Sequence, residues 1–299
     1  MKKEKIIYKG DGIRIDKYIP EVIDKLTRSQ VQSLISENLI TVNDKKVKAN
    51  YILKANDEII VSIPQSSQEE VIPQNIPLDI IYEDKDIIVV NKKSGMVIHP
   101  AAGNYENTLV NALLYHYQDL SDLNGPKRPG IVHRIDKDTS GLIVVCRNNF
   151  AHENIAKQFF DKKVVRKYLA ICSGVIPHNL GKIDAPIARN PNNRQQMAVV
   201  ETGKEAITHF KVLERFQNHT LLELQLETGR THQIRVHMKY IAYPVTGDPI
   251  YGFKKETSQY GQFLHAKTIG FYHPRTNKFI EFDSDIPSYF QKYLNELKA

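Results

Sequence analysis

Residues 131–145 read IVHRIDKDTSGLIVV, in which two apolar runs enclose a polar crossing. Each run has the composition of a buried strand. The crossing gathers charged and hydroxyl side chains at nearly consecutive positions: His133, Arg134, Asp136, Lys137, Asp138, Thr139 and Ser140. A chain that places so many polar groups between two core strands usually builds a functional site there. We therefore take Asp136 as the candidate catalytic residue.

The neighbours of Asp136 favour an ionised carboxylate. Arg134 and Lys137 are cations, and nearby positive charge stabilises the charged form of an acid. An ionised and oriented carboxylate can act as a nucleophile or as a general base. The spacing alone also allows Asp136 and Asp138 to cap the loop or to form salt bridges.

The segment DKDTS has a faint likeness to the DxDxT loop of haloacid-dehalogenase-type phosphatases. That loop needs a continuous apolar strand that leads directly into the first aspartate. Here His133 and Arg134 interrupt the strand, and the fifth position of the segment is Ser140 instead of threonine. A magnesium-dependent phosphatase is therefore kept only as an alternative.

The composition indicates an ordinary soluble protein of about two domains. The chain has 299 residues, of which 41% are hydrophobic and 25% are charged. No stretch approaches the roughly 20 apolar residues of a membrane span, and the basic N-terminus lacks the apolar core of a secretory signal. Cys146 and Cys172 each lie in an apolar run, which predicts buried reduced thiols in a cytoplasmic protein. The net charge of +7 favours phosphate-rich partners without identifying one.

Changes of pattern along the chain predict two folded segments. Residues 13–64 should form a small domain, preceded by an extension over residues 1–12. Residues 65–76 are rich in Ser, Gln and Glu and lack an apolar period, so they are expected to form a linker. Residues 77–299 mix helical and strand patterns and should form the larger domain.

The small domain has clear local signals. Thr27 and Gln30 have the spacing of a capping box at the start of a helix, and Asn43 with Asp44 should form a turn between strands. Its strand patterns cover residues 39–42, 46–47 and 58–63. Several polar side chains on this unit either form a solvated face or bind RNA: Arg28, Gln32, Lys45, Lys46, Lys48 and Lys54.

The larger domain alternates the two periodicities. Strand patterns cover residues 80–82, 87–90, 164–172 and 222–226, and helical patterns cover residues 108–117 and 150–160. Residues 177–200, rich in Pro, Asn and Arg, are predicted to form a long hairpin that projects from the body. Thr231 is predicted to cap a helix with Ile234 and Met238 on its buried face.

The string RIDKYIPEVIDKLTRSQVQSLISENLITVNDKKVKANYILKANDEI resembles the alpha-L RNA-binding motif, and the likeness covers nearly all of residues 13–63. It is strongest in LTRSQVQSLI and ITVN. The resemblance implies a small α/β RNA-binding domain in which Arg28, Ser29 and Gln32 meet the RNA backbone. We expect Lys48 to contact RNA as well.

A second resemblance covers most of residues 78–290. The strings GIVHRIDKDTSGLIVVCRN, VNKKSGMVIHP, RKYLAICSG, MAVVETGKEAITHF, ETGRTHQIRVHMKYIAYPVTGDPIYG and LHAKTIGFYHP together resemble the pseudouridine synthases of the RluA/RluD type. The resemblance implies an α+β catalytic domain built on a mixed, largely antiparallel sheet. It also implies isomerisation of uridine to pseudouridine in RNA, and the alpha-L motif in front favours large-subunit (23S) ribosomal RNA.

The resemblance assigns roles to individual residues. Asp136 matches the catalytic aspartate, and Arg134 matches the arginine that pushes the target uridine out and fills its place. Tyr168 matches the tyrosine that stacks on the flipped base and takes the proton from carbon 5. Arg235 matches the arginine that pairs with the aspartate. Whether Asp136 attacks the base, attacks the sugar or removes a sugar proton stays open.

The same resemblance sets the expected partners. His133, Arg230 and His232 should contact RNA, which would be large-subunit ribosomal RNA or its assembly intermediates. The chain is expected to act as a cytoplasmic monomer without a membrane partner. No cofactor or metal is expected, because the histidines lack ligand spacing and the glycines form no nucleotide-binding loop.

Two further points qualify the resemblance. A non-catalytic RNA chaperone or assembly factor on the same fold is the alternative, although the full set of catalytic residues argues against it. The sequence departs from the family patterns at five positions: Pro20, which should kink or break the first helix, Asp44, Lys93, Arg166 and Gln196.

Overall fold

The computed structural model describes residues 2–23, 26–63, 71–101, 103–193 and 196–298. The chain divides into two compact units, Met1–Glu70 and Val71–Ala299. Both units combine helices with sheets, so the predicted α+β class is confirmed. Within the described ranges, no helix is long and apolar enough to cross a membrane.

The first unit packs two helices on a four-stranded antiparallel sheet. Its elements are β1 (Lys2–Ile7), α1 (Ile15–Val22), α2 (Arg28–Ser36), β2 (Ile40–Val42), β3 (Lys45–Lys46) and β4 (Glu58–Ile63). The strand order is β1-β4-β2-β3. Residues 1–12 were expected to lie outside the small domain, but β1 pairs with β4 along its whole length. The backbone hydrogen bonds of this pairing make residues 2–7 part of the unit.

The local signals of this unit were predicted correctly at α2 and at the turn. The backbone nitrogen of Thr27 donates to Oε1 of Gln30 at 2.8 Å, and the backbone nitrogen of Gln30 donates to Oγ1 of Thr27 at 3.4 Å, so the predicted capping box is complete. Asn43 and Asp44 have φ angles of 49° and 59°, the left-handed values that a type I′ turn requires. Both side chains tolerate this conformation, so Asp44 can stand where glycine is more usual.

The break expected at Pro20 is not observed. Helix α1 contains Pro20 and continues to Val22. Proline removes one backbone donor, which would have bonded to the carbonyl of Asp16. Because the helix ends two residues later, few hydrogen bonds remain to be lost.

The second unit contains eleven strands and four α-helices in its described part. They are β5 (Ile80–Glu83), β6 (Ile87–Lys92), α3 (Leu109–His116), β7 (Ser140–Cys146), α4 (Asn149–Phe160), β8 (Val165–Ser173), β9 (Leu180–Asp184), β10 (Ile187–Arg189), β11 (Met197–Val199), β12 (Ile207–Arg215), β13 (His219–Leu226), α5 (Gln233–Tyr240), β14 (Leu264–Tyr272), β15 (Phe279–Asp283) and α6 (Ser288–Lys298). A short 3-10 helix covers Lys254–Glu256.

Nine of these strands form one sheet in the order β5-β6-β7-β14-β8-β13-β12-β9, with β15 paired to β14. The β7–β14 pair is parallel, and the other pairs are antiparallel. The predicted mixed, largely antiparallel sheet is therefore confirmed. All seven residues of β7 are buried, so the strand that follows the polar crossing runs through the core. Cys146 and Cys172 are buried and free, as predicted.

The start of the second unit differs from the expected linker. Residues 65–70 lie outside the described residues, but residues 71–76 pack along α3. Asn111 Nδ2 donates to the carbonyl of Ile72 at 2.8 Å, and the backbone nitrogen of Gln74 donates to the carbonyl of Asn111 at 2.9 Å. These bonds explain why a segment without an apolar period is ordered here.

The sequence predicted two strands on either side of the polar crossing, but only the second, β7, is a regular strand. Ile131 makes an isolated antiparallel bridge with Val145, and residues 132–136 have no regular structure. The backbone nitrogen of Cys146 donates to the carbonyl of Gly130 at 2.8 Å, whereas that of Val144 donates to His133 Nε2 at 2.9 Å. At Val144 the imidazole of His133 thus takes the place of a backbone carbonyl as the hydrogen-bond acceptor of β7.

Two other predictions on this unit need correction. Of residues 177–200, β9 joins the main sheet and pairs with β12, so only β10 and β11 form a separate hairpin; residues 194–195 lie outside the described residues. Helix α5 begins at Gln233 and follows His232, not Thr231. His232 adopts a left-handed φ of 58°, and no side chain caps the helix there.

The parallel β7–β14 seam generates a stability prediction. Gly141 has a φ of 113°, and a Cβ there would collide with the carbonyl oxygen of Ala266 and lie 2.6 Å from its nitrogen. Gly141→Ala should therefore lower the free energy of unfolding by about 3 kcal/mol or more, from overpacking and backbone strain together. Chemical denaturation measures the change.

Gly125→Ala is the matched control, because Gly125 has a φ of 76° with no atom within 4 Å of the added Cβ. This variant should lose only about 1–2 kcal/mol from left-handed strain. Equal losses in the two variants would contradict the close approach at the seam.

Candidate active site

An ion pair joins the polar crossing to helix α5. Nη1 of Arg235 donates to Oδ2 of Asp136 at 2.9 Å. The side chain of Arg235 is 4% exposed, whereas that of Asp136 keeps 17% of its surface accessible. The carboxylate is therefore held from the protein side and stays open to a ligand from the other.

Arg235 is itself held by a second carboxylate, which sequence analysis missed. Asp248 is fully buried; its Oδ2 accepts from Nε of Arg235 at 2.6 Å and its Oδ1 accepts from Nη2 at 2.9 Å. Oδ1 of Asp248 also accepts from the backbone nitrogens of Ile250 and Tyr251. Burial opposes the charge of Arg235, but the two carboxylates outweigh it and raise the pKa of Arg235 above its ordinary value.

Tyr168 lies on β8 opposite Leu224 of β13. It lines a small cavity of about 50 Å³ together with Asp136 and Arg235. Burial raises the pKa of Tyr168, and the charge of Asp136 acts in the same direction while Arg166 opposes it. The free protein therefore holds Tyr168 as a neutral phenol beside the carboxylate.

His232 closes another side of this cavity. Its Nε2 lies 3.9 Å from Oδ1 of Asp136, and a hydrogen bond of 2.8 Å joins its Nδ1 to the hydroxyl of Tyr251. The ring of Tyr251 in turn lies 5.0 Å from the guanidinium carbon of Arg235. His232 is thus fixed next to the carboxylate of Asp136, and its contact with RNA stays a prediction.

A buried lysine ties the upstream segment VNKKSG to the crossing. Lys92 is 1% exposed, and its Nζ donates to the carbonyls of Lys93, Met96 and Lys137 at 2.8–2.9 Å. Burial lowers the pKa of Lys92 to about 7, although Asp138 and Asp136 oppose the shift. Lys93, where the family pattern has proline, is exposed.

Three predicted RNA contacts lie around a larger cavity of about 660 Å³. Arg134 is exposed and lines both cavities, and Arg230 donates from Nε to the carbonyl of Glu205 at 2.8 Å. His133 stacks on Phe159 at 4.7 Å, and burial lowers its pKa to about 3. His133 is therefore a neutral structural residue in the free protein, and an RNA contact through its remaining ring nitrogen stays a prediction.

In the first unit, Arg28 and Gln32 converge on the buried carboxylate of Asp16. Nη2 of Arg28 lies 3.0 Å from Oδ2 of Asp16, and Nε2 of Gln32 lies 2.8 Å from the same oxygen. Arg14 also bonds to Asp16, and its hydrogen bond is the main cause of the lowered pKa of this acid. Arg28 remains half exposed.

Ser29 and Lys48 are exposed. Contact of this surface of the first unit with RNA stays a prediction.

Metal ligands were not expected. Among the described residues, one group of acids and histidine comes within metal-binding reach, formed by Asp84, Asp86 and His273. Arg275 already pairs with Asp86 at 2.6 Å, and His273 Nε2 lies 2.7 Å from Asp84. The protein's own groups thus satisfy these carboxylates, and the group lies outside the cavities at Asp136.

Comparison with known proteins finds a family match in each of the two units. The family model for RNA pseudouridylate synthase matches residues 86–240, and the S4 domain model matches residues 13–59. The RNA-binding resemblance of the small domain and the synthase resemblance of the large one are thereby confirmed.

Relatives match the chain over nearly its whole length. An uncharacterized RNA pseudouridine synthase, YlyB, of Bacillus subtilis is 50% identical and covers 95% of this chain and 94% of its own. Ribosomal large subunit pseudouridine synthase D of Zymomonas mobilis is 44% identical, covering 94% and 92%. The solved structure of human RNA pseudouridylate synthase domain containing 1 is 25% identical with a TM-score of 0.61, covering 76% and 96%.

The role of Asp248 is testable through Asp248→Asn. The amide keeps the shape of the carboxylate but removes one of the two negative charges that hold Arg235. Because a small misplacement of a catalytic group can cost about 100-fold in rate, pseudouridine formation should slow by about 10- to 100-fold. Rapid-quench measurement at saturating enzyme isolates this step from RNA binding.

RNA affinity should change by less than about threefold in the same variant, because Asp248 does not face either cavity. A variant that reacts at the wild-type rate would contradict the positioning role of Asp248.

Proposed function

The chain belongs to the RNA pseudouridylate synthase family, and from that premise we propose that it isomerises uridine in large-subunit ribosomal RNA with Asp136 as catalytic residue. The observation that carries the proposal is the Asp136–Arg235 ion pair in the wall of a cavity that also contains Tyr168. The reaction breaks the glycosidic bond, turns the base and rejoins it through carbon 5. No atom is lost and no oxidation state changes. The site needs a carboxylate to start the bond cleavage, an acceptor for the proton on carbon 5, and a closed space that retains the detached base.

The target uridine must leave its stack before it can react. Extruding a base costs a few kcal/mol, and the cavity at Asp136 is small, about 50 Å³. The exposed Arg134 lines both this cavity and the larger one. We propose that Arg134 moves into the gap left in the RNA, which offsets the cost of extrusion and makes room for the base.

Asp136 is proposed to start the chemistry. Its carboxylate can add to the base, attack the sugar carbon or remove a sugar proton, and each route needs an ionised oxygen aimed at the nucleoside. Arg235 supports both requirements, because a charge-assisted hydrogen bond to Oδ2 stabilises the anion and fixes its orientation. The accessible part of the side chain is then free to meet the substrate.

Tyr168 is proposed to stack on the extruded base and to accept the proton from carbon 5. Aromatic stacking on an unpaired base contributes about 1–3 kcal/mol. Proton acceptance requires the phenolate, which burial disfavours and Arg166 favours. We therefore assign stacking to the neutral phenol; once its hydroxyl proton has passed to solvent, the phenolate can accept the proton from carbon 5.

The choice of ribosomal RNA rests on the relatives and on the first unit. The relative named ribosomal large subunit pseudouridine synthase D is 44% identical to this chain over 94% of the chain. The S4 domain supplies a separate RNA-binding surface, and a tethered second contact raises the effective concentration of the catalytic unit. Which uridine is chosen would depend on shape and backbone contacts by this surface and by the β10–β11 hairpin.

Asp136→Asn tests the catalytic assignment. The variant should fold and bind RNA, but tritium release from carbon-5-labelled uridine in ribosomal RNA should fall by at least about 1,000-fold, because the amide cannot act as nucleophile or base. Asp119→Asn, at a surface ion pair with Arg147, is the matched control and should release tritium at the wild-type rate. Retained release by Asp136→Asn would overturn the assignment.

The substrate is tested in a strain that lacks the gene. Reverse transcription of carbodiimide-treated large-subunit RNA should lose one or more stops, and the wild-type gene should restore them while the gene encoding Asp136→Asn should not. Unchanged stops in the deletion strain would indicate a non-catalytic RNA binder or a different RNA.

A further inference from the structure

The larger cavity carries an excess of positive charge next to the reaction centre. It shares Arg134, Tyr168 and Leu226 with the small cavity at Asp136. Five cations and one carboxylate line it: Arg128, Arg134, Lys162, Arg166, Arg230 and Glu227. The carboxylate of Glu227 bonds to Nε2 of His209 at 2.6 Å, so it is engaged by a residue outside the cavity lining.

Arg166 is the most unusual of these cations. Its side chain is 9% exposed, and its Nε is buried without a hydrogen-bond partner. Among the described residues, it donates one long hydrogen bond from Nη2 to the carbonyl of Glu227 at 3.4 Å, and its guanidinium carbon lies 5.4 Å from the ring centroid of Phe159. Within the described ranges, no carboxylate pairs with this guanidinium.

An unpaired buried charge is costly, so proteins rarely keep one without a function. Arg235 illustrates the usual solution, since two carboxylates surround it at a similar depth. The guanidinium of Arg166 is buried to a similar extent, but no carboxylate of the described residues pairs with it. Because the described residues offer this guanidinium no compensating carboxylate, we infer that an external anion completes the site.

Two further features of the cavity agree with an anionic ligand. Nδ1 of His99, another lining residue, is also buried without a partner. Gly229 leaves room beside the guanidinium, because a Cβ at this position would lie 2.7 Å from Nη1 of Arg166. A side chain there would displace the charged group from its present position.

The position of Arg166 along β8 relates this anion to the substrate. Alternate residues of a strand point to the same face, and Arg166 and Tyr168 are both buried while Lys167 between them is less so. They are therefore neighbours on one face, roughly 6.6 Å apart along the strand. A nucleotide with its base on Tyr168 would bring an adjoining phosphate close to Arg166.

We propose that the larger cavity binds one phosphodiester group next to the target uridine, with Arg166 as its main ligand and His99 as a second donor. The planar guanidinium can present Nε–H and an Nη–H to two phosphate oxygens at once. This inference rests on the proposed function and adds the position at which the RNA backbone is held during base extrusion.

RNA with one uncharged linkage tests the proposal on the unaltered protein. Short RNAs that contain the mapped target uridine receive a methylphosphonate at one linkage at a time on either side of it. One flanking linkage should weaken binding by about 10- to 100-fold, the usual effect of a lost charge-assisted hydrogen bond. Equal, small effects at all flanking linkages would overturn the proposal.

Arg166→Met identifies the ligand within the protein. The variant should bind unmodified RNA about 10- to 100-fold more weakly, and the critical methylphosphonate should then add less than about twofold. Arg166→Lys should recover part of the affinity. Fully additive effects of variant and linkage would show that another group holds the phosphate and would contradict the role of Arg166.

Two controls separate binding from folding and from general electrostatics. Lys157→Met removes a cation of α4 that pairs with Asp161 at 3.2 Å and does not line the cavity, so RNA affinity should stay within about twofold. The melting temperature of Arg166→Met should equal or exceed that of the wild type, because no carboxylate of the described ranges balances Arg166. A lower melting temperature with unchanged RNA affinity would make Arg166 structural.

The outcome is distinguishable from a failure of the proposed function. If the wild-type protein forms no pseudouridine in the unmodified RNA, the proposed function fails. If it forms pseudouridine but tolerates every uncharged linkage, only the phosphate site fails.

Discussion

The site depends on the charge balance of one buried guanidinium. Arg235 is shielded from water, so its charge is stable only beside carboxylates, and it has two: Asp248 binds it from behind and Asp136 from the front. The three residues come from different segments: Asp136 from the polar crossing, Arg235 from helix α5 and Asp248 from the loop that follows this helix. The orientation of Asp136 is therefore set by residues far from it in sequence.

Arg166 presents the opposite case at a similar depth. It lies on the strand that carries Tyr168, yet its described surroundings offer a backbone carbonyl and an aromatic face instead of an acid. Arg235 is paired with two carboxylates, whereas Arg166 has none among the described residues. The two cavities therefore differ in charge. The smaller cavity contains a fixed carboxylate, which we propose meets the nucleoside, whereas the larger one contains an unpaired guanidinium, which we propose meets the RNA backbone.

Patterns within a few residues of the sequence predicted much of the fold. The contacts between distant residues could be predicted only where a family resemblance implied them. The capping box of Thr27 and the alternation in β13 depend on neighbours within a few residues, so pattern reading found them. The bond from Val144 to His133 and the clamp of Asp248 on Arg235 depend on tertiary contacts. The string GDPIYG, which contains Asp248, was part of the family resemblance. Periodicity could not show that the carboxylate of Asp248 bonds to Arg235 of helix α5.

The most direct test of this account is the single-turnover rate of Arg235→Lys at saturating enzyme. Lysine keeps the positive charge but has no planar fork with which to bond two carboxylates at once. We expect pseudouridine to form at least about 100-fold more slowly, with RNA affinity close to that of the wild type. A rate within about threefold of the wild type would contradict the claim that catalysis depends on one guanidinium that bridges Asp136 and Asp248.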